Sequence, residues 1–161
     1  MNSMRHIRIG AVPCLLAALW VMSVMPASAA VQTQMAMSGD MEVDVLRADV
    51  KEGVLTVQLL YRNTGNKEAH VRYPVEEVYY IDLKEKKKYH VLKDSKGEWI
   101  AAPVARSGIG TESGSAANPL KIVAGGKQIV WFKFPAPPDA VVKVNLVVPN
   151  VVPFEDLPIT R

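Results

Sequence analysis

The sequence predicts an all-β chain built as an antiparallel β-sandwich. Three observations predict it. Short apolar runs alternate with polar residues at a period of two. Turn residues punctuate those runs at close intervals, as in "NTGN", "KDSKG" and "AGGK". After the first thirty residues no stretch carries a convincing helical period, and many short strands separated by turns point to two packed sheets.

Residues 41–50, "MEVDVLRADV", set Met41, Val43 and Val45 on one face and Glu42 and Asp44 on the other. The period slips at Leu46, which marks a bulge or a change of sheet. "VKEG" is a hairpin turn with Gly53, and "GVLTVQLLYRN" follows as a half-buried strand. "HVRYPV", "EVYYIDL" and "KYHVL" are short extended pieces, and "EWIAAP" is read as a returning strand with Trp99 and Ile100 at its buried end. "KQIVWFKF" is a strong strand whose aromatics are shared between two faces. "VVKVNLVV" is too apolar to lie outside and is read as a core strand. Beyond it, Val151, Val152, Phe154, Leu157 and Ile159 stay apolar between prolines, which disfavours a solvated linker. Phe154 is expected to pack on the sandwich.

The first 29 residues read differently. Arg5 and Arg8 precede an apolar run, and Ala27 and Ala29 form a small-residue cleavage site. This is a secretory signal peptide, expected to be cut after Ala29. A transmembrane anchor fits less well, because the apolar run is short and ends at that site. Cys14 follows Pro13 early in the run, where a lipidation site would need a small residue before it. The expected location is secreted or periplasmic. Removing 29 of the 161 residues leaves 132, enough for one domain with a core. The cut also removes the only cysteine, so the core must form without a disulfide. It takes the basic count from 19 to 17 against 16 acidic side chains, a formal net charge of +1. That balance gives no case for nucleic-acid binding. Residues 30–40, small and polar, are expected to form a flexible lead-in to a domain spanning 41–160.

The segments "LTVQLLYRNTGNKEA", "YYIDLKEKKKYHVLKDSKG", "GGKQIVWFKFPAPP" and "VNLVVPNVVPFEDLPI" together resemble a family of small secreted bacterial immunoglobulin-like domains, found alone or ahead of OmpA-like domains. The resemblance covers residues 41–160. It implies an immunoglobulin-like sandwich of about seven strands. The sequence departs from antibody-type domains, having no cysteine pair and no tryptophan on the strand that holds Tyr79 and Tyr80. No OmpA-like sequence follows "PFEDLPI", so the resemblance implies a fold and a compartment but not wall binding. It supplies no catalytic residue.

The candidate chemistry is sparse. His70, His90 and the loop serines Ser107, Ser113 and Ser115 carry no nucleophile motif, so no catalytic set and no enzyme is expected. Asp94, Ser95 and Glu98 are explained by a hairpin turn better than by calcium. Met35, Met37 and Met41 could offer soft thioether ligands to copper, the alternative to a metal-free protein. Lys84, Lys86, Lys87 and Lys88 could touch an anionic polymer or a lipid head group, but read better as a solvated turn with edge-strand lysines, largely neutralised by Glu76, Glu77, Asp82 and Glu85. One of Tyr79 and Tyr80 must face outward on its strand and is the first candidate for a partner surface, beside the Gly- and Ser-rich loop at 103–120. The functional expectation is a non-enzymatic module that binds a protein or a cell-envelope component. No cofactor is expected.

Overall fold

The computed structural model describes residues 30–71, 73–102 and 120–161. The signal peptide expected at 1–29, and the 103–120 loop up to Leu120, lie outside the described residues. The elements are strands β1 (Gln32–Met35), β2 (Met41–Lys51), β3 (Val54–Asn63), β4 (Ala69–Val71), β5 (Tyr79–Asp82), β6 (Lys87–His90), β7 (Leu120–Ile122), β8 (Lys127–Pro135), β9 (Lys143–Val147) and β10 (Phe154–Pro158), with one 3-10 turn at Val75–Glu77. A first sheet runs β1-β2-β3-β8, a second β10-β9-β5-β6, and β4 pairs with β7. Every pairing between named strands is antiparallel.

The two four-stranded sheets close on one another through their inward faces. Leu55, Leu59, Phe132 and Phe134 come from the first, and Tyr80 and Leu146 from the second, all fully buried. Tyr80 meets Phe134 edge-on at 5.5 Å, and its hydroxyl crosses the layer to donate to the Pro135 carbonyl at 2.9 Å. Tyr73 meets Phe132 edge-on at 5.4 Å. Such edge-to-face pairs add stabilisation beyond the area they bury. The chain is thus an all-β antiparallel sandwich.

The hairpin between β2 and β3 turns on Glu52 and Gly53, with φ of 50° and 76°. Two positive φ values are what a two-residue turn needs to follow the twist of its strands. The slip expected at Leu46 is present as a register shift between Val45 and Arg47. Before it Val43 and Val45 point inward; after it Ala48 does. One inserted residue has exchanged the two faces.

Three expectations need correction. Residues 32–35 are not a flexible lead-in; they form β1, in register with β2 from Gln32 against Val45 to Met35 against Glu42. Their polar sequence hides this, because backbone bonds hold an edge strand. "EWIAAP" is not a strand: Trp99 makes a single bridge to Lys93, and Ile100 is 57% exposed. Among the described residues there are ten strands rather than about seven, and β1 lies where a flexible arm is expected.

The end of the chain ties the sandwich shut. Val152 donates to the Met35 carbonyl at 3.1 Å and Met37 to the Asn150 carbonyl at 2.8 Å. Past the bulge, where β1 has left the edge of β2, Thr160 takes over. Its N–H donates to the Ala48 carbonyl at 2.9 Å, and its carbonyl accepts from Val50 at 2.8 Å. Arg161 then donates to the carbonyls of Pro137, Pro138 and Val141.

Candidate functional site

A candidate site among the described residues is on the outer face of the first sheet. β8 buries Val130, Phe132 and Phe134, so Ile129, Trp131 and Lys133 face outward. The bulge in β2 turns Arg47 and Asp49 to the same side. The ladder then aligns Arg47, Gln58 and Trp131 in one row, and Asp49, Thr56 and Lys133 in the next. Two strand spacings separate the ends of each row, about 10 Å.

A second wall comes from the segment after β6. Leu92 donates to the Lys133 carbonyl at 3.0 Å, and Lys133 donates to the Ala101 carbonyl at 2.9 Å. These bonds hold Leu92, Ile100 and Ala101 along the β8 edge. Between this wall and β2 lies an open groove of about 520 Å³. Its lining mixes Trp131, Leu92 and Ile100 with Arg47, Asp49 and Lys133. Trp131 is 37% exposed. Arg47 stands 3.5 Å from Asp49, whose Oδ1 is buried without a hydrogen-bond partner. Lys133 Nζ lies 6.0 Å from the Trp131 ring centroid. The groove therefore offers an aromatic face, a carboxylate acceptor and cations, side by side. That combination suits holding an extended ligand.

The sequence-predicted residues fall elsewhere. Tyr79 is the outward tyrosine of the pair, half-buried, with its ring 5.6 Å from that of His90 and Lys88 Nζ 4.1 Å from its centroid. Tyr80 is fully buried and also stacks on Tyr89 at 4.8 Å, so it cannot present itself to a partner. The methionines divide as well. Met35 and Met37 are 42% and 72% exposed, whereas Met41 is a core residue at 4%. Met41 is therefore not available beside the other two as a copper ligand. Among the described residues no three His, Cys, Asp or Glu side chains gather as a metal site, and no helix is long and apolar enough to cross a membrane.

Sequence reasoning missed the groove. It shared the aromatics of this strand between two faces without singling out Trp131 as a site residue. The usable signal was "IVWFKF": period two cannot bury both Trp131 and Phe132, and the Lys127 and Lys133 parity marks the Trp131 face as outward. Comparison with known protein families, with curated proteins and with solved structures gave no match.

Proposed function

We propose that this chain is a secreted or periplasmic, non-enzymatic module of immunoglobulin-like type that binds a protein or cell-envelope component, and that its ligand lies in the Trp131 groove. The observation that carries this reading is Trp131 itself. A tryptophan left 37% exposed between charged side chains forgoes burial that its neighbours Phe132 and Phe134 obtain. Tryptophan in a recessed site is the residue type that most often dominates binding energy. The groove rests on ladder bonds on both sides, so it is preformed, and a ligand would not have to order it.

The test is capture from an envelope extract with immobilised residues 30–161 and with the Trp131→Ala variant. Trp131 faces outward, so the variant is expected to keep the far-ultraviolet circular dichroism of the parent. A component held by the parent and lost with Trp131→Ala supports the reading. A component held equally by both chains overturns the groove assignment.

A further inference from the structure

We infer that the tip of the β5–β6 hairpin docks on an anionic lipid surface. This surface is separate from the groove and does not depend on its role. The tip carries Leu83, which is 55% exposed, followed by Lys84, Glu85, Lys86, Lys87 and Lys88. An apolar residue held outward among four cations is the pattern of a loop that inserts at a charged bilayer interface.

The tip stays net basic, because its four lysines face two carboxylates, Asp82 and Glu85. Asp82 is fully buried, and its Oδ1 accepts the N–H groups of Lys84 at 2.8 Å and Glu85 at 3.3 Å. Glu85 accepts the Tyr89 hydroxyl at 3.2 Å. Among the described residues every close ion pair uses arginine or histidine, and none uses these lysines. Lys87 and Lys88 rest instead against the rings of Tyr89 and Tyr79, at 4.8 and 4.1 Å. Neighbouring β9 begins at the same end of the sheet, with Lys143 next to Val142, which is 63% exposed.

The Asp82 bonds also fix the shape. They hold the loop so that Leu83 projects without further ordering. Lys86 completes the turn at a φ of 54°, where glycine or asparagine would be easier. Each lysine near an anionic surface contributes about 1 kcal/mol, and the attraction falls with salt.

The experiment is co-sedimentation of residues 30–161 with vesicles of equal parts phosphatidylglycerol and phosphatidylcholine, against vesicles of phosphatidylcholine alone. Binding to the mixed vesicles only, weakened by added salt, is expected. Leu83→Ser should weaken it by about tenfold, and the Lys86→Glu, Lys87→Glu double variant by at least as much. Both changes are on exposed positions, and an unchanged melting temperature confirms that the fold survives. Trp131→Ala should bind vesicles as the parent does, which keeps this result independent of the groove. Equal binding to both vesicle types, binding to neither, or mixed-vesicle binding unchanged by Leu83→Ser would each overturn the inference.

Discussion

Arg62 grips Asp44 with two hydrogen bonds, Nε to Oδ2 at 2.6 Å and Nη2 to Oδ1 at 3.0 Å. Thr33 of β1 adds a third, from its hydroxyl to Oδ1 at 2.7 Å, and Glu42 meets Arg62 at 2.6 Å. One buried carboxylate thereby ties three neighbouring strands together. The Arg62 hydrogen bonds hold the Asp44 carboxyl below its ordinary value of 3.8, against the opposing effect of burial. A lowered folded-state value means the stabilisation is present above the ordinary value and is lost as pH falls through the folded one. Urea midpoints should hold steady from neutral pH toward pH 4 and then drop. Asp44→Asn should cost about 1.5–3 kcal/mol at neutral pH and flatten the acid drop. An acid profile identical to the parent's would sink this account.

The alkaline side rests on tyrosine. Tyr61 and Tyr73 bury hydroxyls that have no hydrogen-bond partner. Burial pushes Tyr73 up to about 12 and raises Tyr61 and Tyr80 further. Raised folded values give stability that is complete below the unfolded value of about 10 and lost as pH climbs above it. Phenolate absorbance should therefore lag behind that of the unfolded chain until the protein opens. Tyr61→Phe removes an unsatisfied group, so it should leave neutral stability intact or improved and soften the alkaline loss. A loss of more than about 1 kcal/mol at neutral pH would mean the hydroxyl has a partner after all.

What was legible in the sequence tracks what depends on side-chain period. β2, β3, β8 and β9, and the bulge at Leu46, were readable because a buried face must repeat every second residue. β1 was not, since "QTQM" shows no apolar stripe and its place is set by backbone bonds. Tyr79 and Tyr80 could not be told apart locally. The choice is made by distant groups, Phe134 and the Pro135 carbonyl, which only the folded chain brings near Tyr80. The burial of Asp82 under its own loop was hidden for a similar reason, since counting charges cannot show it.

The correction at β1 makes its own prediction. The amides of Ala36 and Met37 donate to Met41 and Asn150 at 2.9 and 2.8 Å, and that of Val31 to Val45 at 2.7 Å. Hydrogen exchange should find all three protected, unlike the amides of a loose arm. Deleting residues 30–36 should bare the β2 edge, lower the melting temperature and promote self-association. Exchange at the unfolded rate for these amides would restore the flexible lead-in.

The closing segment gives the sharpest stability test. Phe154 and Leu157 are fully buried, and Thr160 completes the edge of β2 that β1 leaves at the bulge. Phe154→Ala should cost about 3–5 kcal/mol, through lost apolar burial and the cavity left behind. Thr160→Pro should cost less, because it removes one donor and no core volume, yet it should still loosen the edge from Ala48 to Val50. Truncation after Asn150 combines both losses and should unfold the domain at ordinary temperature, since several kcal/mol is a large part of a small domain's stability. If the truncated chain melts where the parent does, the prolines mark a linker and the burial of Phe154 contributes nothing to stability.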